Sequence, residues 1–129
     1  MLWPLVLLSL SSIRDCSNGL GRSALLGFES EPAIPKAGDN VTLWVAYDLP
    51  PPAITSGTAT YSFSLNGIPF PPTVDDLCTQ TICPIDVGFH NETSSSIFPS
   101  GISGKIVSQI AWRDQSDELV WCVETTWKV

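Results

Sequence analysis

Four cysteines and a single histidine, Cys16, Cys78, Cys83, Cys122 and His90, are the residues whose types first invite chemistry. Thiolates hold zinc or close disulfides, and a histidine ligates metals or moves protons. A C-x4-C pair with one histidine in the whole chain is a poor tetrahedral zinc set, so no metal and no cofactor is expected. No Gly-x-Ser-x-Gly turn frames a serine nucleophile, and His90 beside Asn91 reads as a surface histidine. Asp75 and Asp76 are adjacent, so on an extended backbone their carboxylates diverge instead of forming an acid/base pair; they read as turn residues. Gly-rich phosphate loops are missing from the sequence, and no catalytic residue is assigned.

The cysteines make better sense as disulfides. The opening "MLWPLVLLSLSS" has an apolar run from Leu2 to Leu8, followed by Ser9 and Ser11 as a small-x-small cleavage site. It is too short to span a bilayer, and Pro4 with the lack of alternation argues against a buried strand. Residues 1–11 are therefore expected to be a secretory signal and residues 12–129 a single domain. The sequons Asn40-Val41-Thr42 and Asn91-Glu92-Thr93 would be glycan acceptors in that pathway. In an oxidising compartment four cysteines allow three pairings. The four residues between Cys78 and Cys83 permit a tight loop with Pro84 stiffening its exit, which favours that local pair and leaves Cys16 for Cys122.

Composition bounds what such a domain can do. With 129 residues, 43% hydrophobic, the chain has material for one core. Thirteen acidic against six basic residues give a net charge of -7, scattered along the chain, which argues against nucleic acid as a partner and against strong attraction to anionic membranes. Transient membrane contact through an apolar rim stays open.

The elements that must position these residues read as strands. In "VTLWVAY", Val41, Leu43, Val45 and Tyr47 share one face and Thr42, Trp44 and Ala46 the other. In "TATYSFSLNG", Ala59, Tyr61, Phe63 and Leu65 alternate with Thr and Ser, the pattern of a half-buried antiparallel strand. Further runs are "SALLGFES", "GFHNETSSSIF", "GKIVSQIAW" and "ELVWCVETTWKV", separated by turns such as "LPPPAITSG" and "RDQSD". Six or seven short strands without a sustained helical stripe predict an all-β sandwich.

One arrangement is more specific. An early cysteine, "GIPFPPTVDDLC" followed by "CPI", then "IFPSGISGKI", an acidic turn and a final "LVWCVETTWKV" together resemble the ML lipid-recognition family, over essentially Cys16 to Val129. That family includes the Niemann-Pick sterol carrier and the fungal phosphatidylglycerol/phosphatidylinositol transfer proteins. The resemblance implies an immunoglobulin-like sandwich of about seven strands with an apolar cavity between its sheets, and it supports the same two disulfides. It also implies that the Cys78–Cys83 loop lies at the cavity mouth, as a spacer that keeps the sheets apart. Such bracing has a physical motive, because an apolar void costs about 24 cal/mol per Å3.

Alternation assigns Val41, Leu43, Val45, Ala59, Tyr61 and Phe63 to inner faces, and the resemblance adds Ile68, Phe70, Ile97, Pro99, Ile110, Trp112 and Val123 at or near the cavity. Phe70, eight residues before Cys78, occupies the place of a cavity phenylalanine in the sterol carrier. Two departures from that carrier are the lack of a cysteine pair in "SEPAIPKAGD" and the small residues around Ser103, so the expectation is a lipid, sterol or phospholipid, without a head group. The resemblance implies a monomeric carrier, secreted or in an endosomal, lysosomal or vacuolar lumen, exchanging lipid with membranes and open to a receptor or transporter partner. The competing expectation is a secreted immunoglobulin-like module with a filled core that recognises a protein.

Overall fold

Alternation is fully expressed where the sequence shows it most clearly. In strand β3, Asn40–Leu49, every second side chain from Val41 to Leu49 is buried while Trp44 and Asp48 face solvent. A computed structural model describes residues 11–129; the expected leader lies outside the described residues except for Ser11, the first residue of β1.

The remaining strands are β1, Ser11–Asp15; β2, Ala24–Glu31; β4, Gly57–Leu65; β5, Ile68–Pro69; β6, Thr73–Asp76; β7, Gly88–Ile97; β8, Lys105–Asp114; and β9, Leu119–Lys128. One helical turn, α1, Leu77–Gln80, follows β6. Six strands form one sheet, in the order β1-β9-β8-β4-β5 with β6 also on β4; β2-β3-β7 form the second. The two antiparallel sheets make the expected sandwich. Nine strands replace about seven because β1 pairs with β9 and the proline-rich segment after β4 contributes the short β5 and β6.

Turn chemistry fixes the registers. Asn66 and Gly67 both have positive φ, 51° and 82°, the backbone of a type I′ hairpin that joins β4 to β5. At the other end of β4, a Cβ on Gly57 would lie 2.0 Å from the carbonyl oxygen of Arg113, so that close approach requires glycine. Asp114 closes β8 by accepting from the backbone N–H groups of Ser116 and Glu118 at 2.8 and 3.0 Å. Asp75 and Asp76, expected in a turn, end strand β6 instead, and Asp76 caps α1 by accepting from the Cys78 N–H at 2.9 Å.

The interior divides into two apolar clusters. The larger gathers Leu43, Val45, Tyr47, Leu49, Ile54, Ala59, Leu77, Ile85, Trp112, Val120, Trp121 and Val123. A smaller one at the opposite end holds Val41, Phe98, Ile106 and Trp127, with Phe63 and Leu65 packed against it.

On the β1 edge, Arg14 stands opposite Glu124 and donates through Nε to its carboxylate, which also accepts from Gln109 Nε2 at 2.7 Å. Burial by itself raises the Glu124 pKa, but the bonds from Arg14 and Gln109 and the charges of Arg14 and Lys105 outweigh it and hold the carboxyl below its ordinary value. A depressed carboxyl stabilises the fold above its unfolded pKa of about 4.3, and that stability is lost as pH falls through the lower folded value. Glu124→Gln is therefore expected to flatten the decline of Tm below about pH 5. Thermal melts of both proteins at stepwise lower pH check this; parallel declines would refute it.

Candidate functional site

Both expected disulfides are present. Cys16–Cys122 and Cys78–Cys83 have Cα separations of 4.9 and 5.4 Å, within the normal range. The first ties β1 to β9, flanked by bonds from Cys16 N–H to the Cys122 carbonyl and from Cys122 N–H to Ser17 Oγ, each 2.9 Å.

The second closes a loop that reaches both sheets. Tyr61 on β4 donates its hydroxyl to Gln80 Oε1 at 2.7 Å, and Thr81 Oγ1 donates to Glu92 Oε1 of β7 at 2.9 Å. Ile54 and Ile85 exchange two backbone bonds just beyond the loop. The loop thus bridges the edge at which β4 of one sheet faces β7 of the other.

Under that bridge the sheets do not close on each other. A cavity of about 200 Å3 lies between them, its apolar wall formed by Leu43 and Val45 of β3, Ile110 and Trp112 of β8 and Trp121 of β9, and its polar rim by Tyr61, Gln80 and Glu92. Adjoining it through Leu43, Ser94 and Ile110, a space of about 50 Å3 is bordered also by Val41, Val123, Ser96 and Ser108. The cause of the hollow is the inner face of β7. Its residues opposite Val41, Leu43 and Val45 are Ser96, Ser94 and Glu92, small or charged where a filled sandwich carries large apolar side chains. On the facing sheet, Ser108 and Thr125 sit side by side in the register between Phe63 and Ile13.

Of the residues expected at the site, Val41, Leu43, Val45, Tyr61, Ile110, Trp112 and Val123 line these two spaces. The other six line neither. Ala59 is fully buried in the larger cluster, and Phe63 packs edge-on against Phe70 with ring centroids 5.1 Å apart. Phe70 is itself 48% exposed, and Ile68 and Pro99 are exposed. Ile97 pairs with Asn40 on the outer face of its sheet; the side chain that turns inward there is its neighbour Phe98.

Sequence reading missed Glu92, Gln80 and Trp121. Glu92 could have been found from the pairing of "GFHNETSSSIF" with "VTLWVAY", which sets it opposite Val45. His90 is not the plain surface residue expected: it lies opposite Tyr47, stacks on that ring at 5.5 Å, and places Nε2 2.6 Å from the Asp86 carbonyl oxygen. Tyr47 is fully buried, and its phenol pKa is raised, first by burial and then by the neighbouring Glu92 carboxylate. Trp112 and Trp121 pack with centroids 4.6 Å apart and complete the aromatic group.

Solved structures share this architecture. The Niemann-Pick type C2 protein from Japanese carpenter ant matches with a TM-score of 0.68 at 14% identity, over 91% of this chain and 98% of that one. Chicken MD-1 complexed with lipid IVa matches with a TM-score of 0.57 at 11% identity, over 92% of this chain and 88% of that one. A DNA glycosylase, AlkC of Pseudomonas fluorescens, matches with a TM-score of 0.51 at 11% identity over 84% of this chain but only 31% of its own, a likeness of fold alone. Among curated proteins no sequence matches. The family model of the ML domain matches residues 11–129, and the chain belongs to the ML-domain family.

Proposed function

We propose that this protein is an extracellular or lumenal lipid carrier, which holds one sterol or phospholipid between its sheets and exchanges it with membranes. The observation that carries this reading is the cavity of about 200 Å3, walled by Leu43, Val45, Ile110 and Trp112 and bridged at its edge by the Cys78–Cys83 loop. The reading draws support from chicken MD-1, whose structure holds lipid IVa, in a fold this chain shares.

Membrane contact in this reading falls to apolar side chains around the proline-rich segment and the loop. Ile68, Phe70 and Val74 are exposed, and Ile82 at the tip of the disulfide loop is 89% exposed. At a net charge of -7 such a surface suits a neutral bilayer better than an anionic one. Both sequon asparagines, Asn40 and Asn91, are exposed, as glycan acceptors must be. A signal over residues 1–11 and the two disulfides fit the same compartment. The site's role is to bind and release; no residue is assigned to catalysis.

Filling the cavity tests the reading. Ile110 is half-buried and borders both spaces between the sheets. Ile110→Trp should therefore lose most transfer of fluorescent lipid between vesicles, while overpacking costs about 1–3 kcal/mol of stability. Wild type purified without detergent should release lipid into organic solvent, identified by mass spectrometry. Undiminished transfer by a folded Ile110→Trp, or wild type that neither carries nor takes up lipid, would favour a protein-recognition module instead.

A further inference from the structure

Among the described residues, two buried donors in and behind the cavity lack partners at hydrogen-bond distance. Trp121 lines the cavity wall at 2% exposure, yet its indole N–H finds no acceptor among the described residues. The Tyr47 hydroxyl, on a ring whose centroid is 6.2 Å from that of Trp121, is likewise buried and has no partner at hydrogen-bond distance among the described residues, although the Glu92 carboxylate lies close enough to raise its pKa. Buried polar groups in native proteins are nearly always paired. Across the same cavity stands Glu92. Its Oε1 accepts from Thr81, which leaves lone pairs on the carboxylate for a donor from inside the cavity. Among the described residues no lysine, arginine or histidine lines this cavity or the smaller space adjoining it.

We propose that this cavity is a recognition site for the hydroxyl end of a neutral lipid, with the alcohol donating to Glu92 and accepting from the Trp121 indole N–H. An alcohol suits both sides, because it is at once donor and acceptor and carries no charge. A phosphate or fatty carboxylate would accept from Trp121 but would sit beside the Glu92 carboxylate in a low-dielectric site without a countercharge. An ammonium would pair with Glu92 but has no lone pair to offer the indole. The apolar chain then follows the wall of Leu43, Val45 and Ile110 toward the adjoining smaller space. Long-chain alcohols, sterols and diacylglycerols share this chemistry.

This rests on the carrier reading, and the test separates the two. Neutral phosphatidylcholine vesicles carry, one at a time, hexadecanol, its methyl ether, a sterol, a diacylglycerol or phosphatidylglycerol, and the lipid bound to re-isolated protein is quantified. Wild type should prefer hexadecanol over its ether about tenfold, the worth of one hydrogen bond to a charged acceptor. The three hydroxyl arms identify the natural source. Glu92→Gln keeps an acceptor for Thr81 but removes the charge; it should narrow the alcohol preference to about threefold and raise phosphatidylglycerol uptake. Trp121→Phe should weaken hexadecanol and its ether alike, by about fivefold, leaving their ratio unchanged. Should Trp121→Phe fail to fold, the ether comparison and Glu92→Gln decide by themselves. Equal uptake of alcohol, ether and phosphatidylglycerol, unaltered in Glu92→Gln, would overturn the hydroxyl site and leave the carrier standing; no uptake of any lipid would overturn both.

Discussion

Replacing Cys16 and Cys122 together by serine is expected to lower the unfolding free energy by about 5 kcal/mol, against about 2 kcal/mol for the same change at Cys78 and Cys83. The difference comes from the unfolded chain, since one bridge closes a separation of 106 residues and the other of 5. In the folded state the long bridge also holds β1, whose five residues make one ladder, with β9, at the edge of its sheet. Its loss would remove much of the 5–15 kcal/mol that a domain of this kind usually has. Urea unfolding of the lipid-free double variants measures both effects. Equal losses would show that native-state contacts around each bridge, not loop closure, set their worth. The transfer assay should rank them the other way among folded molecules, because only the short loop spans the edge where the cavity opens.

The legible parts of the fold are those in which one strand face is apolar and the other polar. In β3 and β4 the period-two pattern names the inner face correctly, from Val41 to Tyr47 and from Ala59 to Leu65. Register then follows from physics, because a slip of one residue would turn the whole apolar set outward. In β7 the same method has nothing to grip. Glu92, Ser94 and Ser96 on one side alternate with Asn91, Thr93 and Ser95 on the other, so neither face declares itself. Those inner residues are the ones that leave the sandwich hollow. The feature that makes the cavity is thus nearly silent in the sequence of its own strand and appears only through the pairing with β3.

The misplaced residues have a similar cause. Ile97 and Phe98 are adjacent apolar residues at the end of β7, and only the pairing of Ile97 with Asn40 decides which one turns in. Ile68 follows the Asn66-Gly67 turn on a two-residue strand at the edge of the sheet and Phe70 comes just after that strand, where there is no facing strand to bury them. Family resemblance carried the site further than alternation could, bringing in Ile110, Trp112 and Val123, all of which border the spaces between the sheets. It had no means of naming Glu92 or Trp121, because their role depends on what stands across the gap.

Arg22→Met is expected to cost about 3–5 kcal/mol, more than most substitutions at a charged residue. Arg22 lies in the connection between β1 and β2, which crosses from the larger sheet to the smaller. Its Nη1 donates to Asp114 Oδ2 at 3.0 Å, and its Nη2 donates to the carbonyl oxygens of Pro50, at 2.9 Å, and Pro52, in the crossing from β3 to β4. One guanidinium therefore binds both crossovers to the β8–β9 turn. The two side chains are only 10% and 4% exposed, so removing the cation strands a buried carboxylate whose other oxygen is committed to the Ser116 and Glu118 N–H groups. Asp114→Asn keeps those turn bonds and isolates the loss of charge. In a double-mutant cycle, Arg22→Met with Asp114→Asn should cost clearly less than the sum of the single variants, because the second change relieves the stranded charge. Urea unfolding in lipid-free form supplies the energies. A cost below about 1 kcal/mol for Arg22→Met would mean that water screens the pair as it does at a surface. Because the held crossovers fix how the sheets sit against each other, a destabilised Arg22→Met should also release bound lipid at a lower temperature than wild type, in step with its unfolding and not before it.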